Sequence, residues 1–121
     1  MKKEIIIIIV IVIILASFNY LIQKTIEKDI EEIIASLYDL QDKIDISNKS
    51  EEQLKEIKNK ADEICNKWKE TDKRMSFFLE HDELEKVSTS IVTIEKYVEV
   101  NDNKEALVEI EKCIYILDHL Q

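Results

Sequence analysis

The chain has 121 residues, contains neither glycine nor proline, and carries a formal net charge of −9. Sheet proteins usually recruit glycine or proline for tight turns, so this composition argues against a sheet and favours long helices joined by short polar corners. The negative charge repels phosphate backbones, which makes nucleic acid an unfavourable partner. It also predicts that the main domain stands off anionic lipid headgroups.

An apolar segment, residues 5–22, follows two N-terminal lysines and is interrupted by only two polar residues. As a helix it is about 27 Å long, close to the roughly 30 Å hydrocarbon core of a bilayer. A cleaved signal peptide is the alternative, but a cut after Ala16 puts Ile14 where peptidases require a small residue. The segment therefore predicts an uncleaved membrane anchor at residues 1–22.

The lysines around this segment predict its orientation. Lys2, Lys3 and the amino terminus lie on one side, and Lys24 and Lys28 lie on the other. The positive-inside rule favours a cytoplasmic N-terminus. The predicted localisation is a single-pass protein of the cell membrane, with residues 23–121 forming an acidic extracytoplasmic domain.

Beyond the anchor, apolar residues recur at steps of three and four, the spacing of one helix face. The pattern predicts helices over about 23–46, 51–80, 83–99 and 104–121, and no breaker separates the first from the membrane segment. The predicted fold class is all-α: an N-terminal transmembrane helix continuing into an antiparallel bundle of three to four amphipathic helices. The seven-residue repeat predicts coiled-coil packing of knobs into holes.

Polar corners supply the helix caps. Ser50 and Gln53 form a capping-box pattern, Asp82 is placed to cap the third helix, and Asp102 with Glu105 repeats the box before the fourth. The fourth helix has a wide apolar face, which predicts a central position in the bundle.

Several of these features occur together in a known family. They are the lysine-started isoleucine leader, Trp68 in a long helix, the corner FFLEHDELE and the hairpin YVEVNDNKEALVEI. The chain resembles a bacterial family of small uncharacterised proteins with one N-terminal membrane segment and a helical extracytoplasmic domain of unknown function. The resemblance implies location and build, and it carries no established activity over to any residue.

The end of the second helix concentrates large apolar residues. Helical spacing assigns most of them to the core: Trp68, Met75 and Phe78. Phe77 lies off that face, so Phe77 and Leu79, with His81 beside them, predict an exposed docking corner. His81 also lies among acidic residues, where a pH-sensing or weak cation site competes with a solvated histidine that helps to form the turn.

The two cysteines, Cys65 and Cys113, form neither a disulfide framework nor a metal-ligand set with the two isolated histidines. Along the predicted bundle they differ in height by about 12 Å, whereas a disulfide tolerates Cα separations of up to about 7 Å. Two buried free thiols are therefore predicted, and no metal or cofactor.

No pattern typical of catalysis is present: the chain has no nucleophile elbow and no phosphate-binding glycine loop. Its acidic residues fall mainly on polar helix faces, where they interact with water. The sequence predicts a non-catalytic, membrane-anchored interaction or accessory module that binds another membrane or envelope protein, with a homo-oligomer left open. The alternative is an envelope sensor subunit, responsive to pH or divalent cations, that relays its signal through the continuous first helix.

Overall fold

This computed structural model describes residues 1–46, 48–77 and 79–120. Within these ranges it contains four helices and no strand. The helices are α1 (Lys2–Ile44), α2 (Glu51–Met75), α3 (His81–Glu99) and α4 (Asn103–Leu120). The predicted all-α fold is confirmed, and the number of helices is four.

The helices form a closed ring. Each packs against its neighbours in the chain, and α1 also packs against α4, whereas no Cα atoms of the diagonal pairs α1/α3 and α2/α4 lie within 8 Å of each other. Because the corners between consecutive helices are short, the helices run alternately up and down, as in an antiparallel four-helix bundle. A ring has no central helix, so the central position predicted for the fourth helix is wrong, and its Val108 and Tyr115 are exposed.

The first helix has two different halves. The large apolar side chains of Ile5–Leu15 are each 48–60% exposed, so no other part of the described chain covers them. From Ile26 onward one face of α1 is buried, at the predicted spacing: Ile26, Ile30, Ile33, Leu37, Leu40 and Ile44. One unbroken helix therefore has a first half whose apolar side chains are uncovered and a second half with one face buried in the core.

The other three helices bury most of the residues that their spacing predicted, whereas Leu54 of α2 and Leu107, Ile114 and Leu120 of α4 are half-buried. Trp68 and Met75 of α2 are in the core, as are Val87 and Ile91 of α3 and Ile110 of α4. Phe78, also predicted for the core, lies outside the described residues. The Trp68 indole Nε1–H donates to the Ser88 hydroxyl at 2.8 Å, and this hydrogen bond joins α2 to α3.

The caps agree with the sequence at two of three corners. The Ser50–Gln53 capping box is complete, with both of its hydrogen bonds present. Of the box predicted for Asp102 and Glu105, one bond is present: Asp102 Oδ1 accepts from the Glu105 N–H at 3.3 Å, while the Asp102 N–H donates to the Tyr97 carbonyl at 2.9 Å. The prediction for Asp82 is wrong: Glu80 is the N-cap of α3, and Asp82 lies in the first turn.

The second helix ends at Met75 rather than near residue 80, because the chain already turns at Ser76 and Phe77.

Two asparagines occupy corner positions where glycine is the usual residue. Asn48 and Asn101 have φ angles of 56° and 58°, in the left-handed region that few residues other than glycine adopt readily. Asparagine tolerates this region because its short polar side chain hydrogen-bonds locally. A chain without glycine can therefore still reverse direction within a few residues.

Replacing Asn101 by alanine is expected to lower the free energy of unfolding by about 1 kcal/mol, because alanine disfavours a positive φ. Asn101→Gly is the matched control and should stay within about 0.5 kcal/mol of the natural chain. Denaturation of the full chain in detergent micelles, followed by circular dichroism, measures both. Equal destabilisation by the two variants would contradict a role for the backbone angle.

Candidate functional site

Within its described residues, the predicted docking corner has one strongly exposed apolar side chain. Phe77 is 85% exposed. Leu79 is half-buried and packs against the core, and its N–H donates to the Met75 carbonyl at 3.0 Å. His81 is exposed and is the first residue of α3. Among the apolar residues of the corner that the structure describes, Phe77 therefore projects, while Leu79 helps to close the bundle.

Phe77 lines a groove between the corner and α1. The groove has a volume of about 570 Å³. Its lining is apolar except for a threonine and two basic side chains: Phe18, Leu21, Ile22, Thr25, Ile26, Lys73, Arg74 and Phe77. We call it the Phe77 groove. At this groove the α2–α3 corner lies beside Phe18 and Leu21, which belong to the end of the apolar segment.

This juxtaposition follows from the antiparallel pairing of α1 and α2. The first helix leads away from the apolar segment, and the second returns along it until Met75 is fully buried. The chain then turns, and Phe77 comes level with Phe18 and Leu21. Sequence reasoning missed the groove because the two walls lie in different helices.

A buried charge lies next to the groove. Asp29 on α1 is only 6% exposed. Lys67 Nζ lies 3.4 Å from Asp29 Oδ1, and Arg74 Nη2 lies 3.0 Å from Oδ2. Oδ2 has no aligned hydrogen-bond donor among the described residues, so charge attraction to the guanidinium holds it. We call Asp29, Lys67 and Arg74 the Asp29 cluster.

The Asp29 cluster joins α1 to α2. Lys67 also lies 3.2 Å from Glu32 Oε2. A hydrogen bond to Glu32, together with the charge of Asp29, raises the pKa of Lys67 above its ordinary value. Since Lys67 and Arg74 are seven residues apart on one helix face, they fix the register of α2 against Asp29. The sequence placed acidic residues mainly on solvated faces, and Asp29 is an exception. Its position three residues after Ile26 puts it on the buried face of α1, and this spacing could have predicted its burial.

A second polar contact joins α2 to α3. A hydrogen bond to Asp62, partial burial and the charges of Asp62 and Glu99 raise the pKa of Glu95 above its ordinary value. The buried Cys65 thiol also faces Glu95, and burial raises the pKa of Cys65. At the α2–α3 seam the structure therefore brings together two carboxyl groups, Asp62 and Glu95.

Both cysteines are buried free thiols, as predicted. Cys65 lies on α2 and Cys113 on α4, two helices that face each other diagonally across the bundle. Burial raises the pKa of Cys113 to about 12, which keeps this thiol protonated at neutral pH.

The described residues contain no group of three or more histidine, cysteine, aspartate or glutamate side chains placed to hold a metal ion. A polar groove of about 620 Å³ between α3 and α4 carries both signs of charge: Asp82, Glu85, Lys86, Glu109 and Lys112. The buried Ser90 hydroxyl at its base already donates to Glu109 Oε1 at 2.9 Å. This hydrogen bond joins α3 to α4.

Removing the cation nearest to Asp29 is expected to destabilise the bundle. Arg74→Gln should cost about 1–3 kcal/mol, because it leaves a buried carboxylate poorly compensated. Asp29→Asn should cost less, since water can solvate the two partly exposed cations, and the double variant should resemble Asp29→Asn. Denaturant unfolding of the full chain in micelles measures these values. If Arg74→Gln costs no more than the exposed control Lys69→Gln, the Asp29 cluster does not stabilise the fold.

Glu95 is expected to make the bundle less stable as the pH rises. Its pKa is raised in the folded state, so the stabilising proton is fully present below the ordinary value of 4.5 and is lost as the pH rises through the raised pKa. Glu95→Gln should therefore raise the melting temperature at pH 7 and leave it nearly unchanged at pH 4. Melting curves across this range test the prediction, with the exposed Glu56→Gln as the control. A pH dependence that is the same in both variants would exclude Glu95 as its source.

Comparison with other proteins identifies a family and no individual relative. No curated protein and no solved structure matches the chain. A family model described as Domain of unknown function (DUF4363) matches residues 20–121, from the end of the apolar segment through all four helices of the bundle. The family description names no activity or ligand. Because the match covers more than half of the chain, the protein belongs to this family of domains of unknown function.

Proposed function

We propose that this protein is a membrane-anchored accessory module: α1 crosses a membrane, and the helical bundle at its far end binds another membrane or envelope protein without catalysing a reaction. The observation that carries the proposal is the uncovered apolar half of α1. Among the described residues, α1 alone is long and apolar enough to cross a membrane, and none of its apolar stretch is buried by the chain. The same helix then supplies one face of the core.

The physical argument is the cost of leaving this surface in water. The run Ile5–Leu15 contains eleven isoleucine, valine and leucine residues. At about 0.3–0.6 kcal/mol for each such residue, their transfer into a bilayer contributes roughly 3–7 kcal/mol. A helix also satisfies its own backbone hydrogen bonds, which a lipid environment requires. Lipid is therefore the cover that fits this segment.

The proposed orientation places the N-terminus in the cytoplasm and the bundle outside. It rests on Lys2, Lys3 and the amino terminus, which are grouped within three residues.

The proposed contact with a partner protein lies on the outer side of α4. There Val108 and Tyr115, seven residues apart, are 57% and 64% exposed and present apolar surface on one helix face.

Cysteine labelling in intact cells is expected to confirm both the anchor and its orientation. Native Cys65 and Cys113 are buried and give little background. A membrane-impermeant maleimide should label Val100→Cys at the far corner and should not label Glu4→Cys, and alkaline carbonate should not extract the protein. Labelling of Glu4→Cys alone would reverse the orientation. A released protein whose mature chain begins after residue 16 would refute the anchor.

A pH-responsive sensor is the second candidate function. The feature that favours it is the Asp62–Glu95 carboxyl pair, since the contact with Asp62 raises the pKa of Glu95. This pair favours a response to protons over the divalent-cation response that the sequence left open. Titration of the full chain in micelles with calcium should release no heat and leave the melting temperature unchanged. A saturable heat would support cation sensing instead.

A further inference from the structure

The Phe77 groove lies where the proposed membrane segment ends. Its α1 wall begins at Phe18 and Leu21, within the apolar segment, and continues to Ile26, the first buried residue of the bundle stripe. The α2–α3 corner forms the opposite wall. If α1 crosses a bilayer over residues 5–22, the groove lies at the boundary between acyl chains and headgroups. An exposed phenylalanine at that depth is in its favoured environment.

The charges of the groove fit a phosphate group. Lys73 and Arg74 are the two charged residues in its lining, and both are exposed. Arg74 contacts Asp29 through Nη2 and keeps about half of its side chain free, with 47% exposed. The acidic residues Glu80, Asp82 and Glu83 follow the corner, and Glu27 and Glu31 lie on the same part of α1. These carboxylates disfavour a headgroup with net negative charge.

Taken with the anchor proposed above, on which this inference rests, these features identify one occupant. We propose that a zwitterionic phospholipid from the leaflet in which the anchor ends occupies the Phe77 groove. Its phosphate contacts Lys73 and the free part of Arg74, and one acyl chain packs against Phe18, Leu21 and Phe77. The volume of about 570 Å³ is within the range of small-molecule sites. The bundle then has a second contact with the membrane, which holds it upright on α1.

The acidic domain and the lipid contact are compatible because the bundle meets the membrane end-on. Its net negative charge keeps the long helix faces away from lipid, whereas the corner at its end offers two cations and an aromatic ring. The lipid contact should therefore persist in vesicles of phosphatidylcholine alone. It should weaken as anionic lipid replaces phosphatidylcholine.

Quenching by brominated lipids tests the proposal on the full chain. Trp68 is the one tryptophan, so Trp68→Phe provides a silent background. A single tryptophan is then placed at Phe77, at Phe18 to report the anchor, or at Val100, an apolar residue of the opposite corner that is 71% exposed. In phosphatidylcholine vesicles with brominated acyl chains, Phe77→Trp and Phe18→Trp should lose emission, and Val100→Trp should not. Adding Lys73→Glu should reduce the quenching of Phe77→Trp, and the control Lys69→Glu should not.

The outcomes separate the two proposals. Quenching at position 18 without quenching at position 77 refutes the lipid in the groove and leaves the anchor intact. Absence of quenching at position 18 refutes the anchor, and the lipid site with it. Blue-shifted but unquenched emission at position 77 shows that protein, such as a second copy of the chain, fills the groove, and this overturns the proposal. If Trp68→Phe does not fold, Phe77→Cys carrying a fluorophore in the natural background gives the same comparison, since both native thiols are buried.

Discussion

The structure depends on the continuity of α1. No residue between Lys2 and Ile44 interrupts the backbone hydrogen bonds of this helix, and its surface changes from uniformly apolar to one-sided near Ile22. A helix satisfies its own backbone groups in lipid and in water alike, so one element can serve in both environments. Because α2 and α4 pack on its second half, the position and orientation of the whole bundle are set by this one helix.

Polar contacts at the seams give the apolar core its specificity. Leucine and isoleucine stripes pack in several registers at similar energy, whereas a buried charge tolerates few arrangements. Asp29 with Lys67 and Arg74 joins α1 to α2, and the Trp68–Ser88 hydrogen bond joins α2 to α3. The Asp62–Glu95 pair, by contrast, disfavours the packing of α2 on α3 when both groups are charged. Two carboxyl groups placed together therefore resist ionisation. The pH dependence expected of Glu95 therefore concerns the α2–α3 seam.

The corners show how a chain without glycine still forms a compact hairpin bundle. Asparagine occupies the left-handed positions at Asn48 and Asn101, and side-chain oxygens of Ser50 and Asp102 cap the helices that follow. The early end of α2 at Met75 has the larger functional consequence. It leaves Phe77 outside the core and beside the end of the apolar segment, where the Phe77 groove forms.

The sequence by itself determined the helices, the apolar segment, the buried stripes and two of the caps. These features depend on residues within about one or two helical turns of each other, so spacing and side-chain chemistry suffice to predict them. Only the tertiary structure decided that Leu79 packs inward, that Asp29 is buried against Arg74, that Asp62 meets Glu95 and that Phe77 lies beside Phe18. Each of these is a distance between different helices, set by how far each hairpin extends before it turns. Local periodicity carries no information about that length, and a shift of a few residues in the end of α2 would remove the groove.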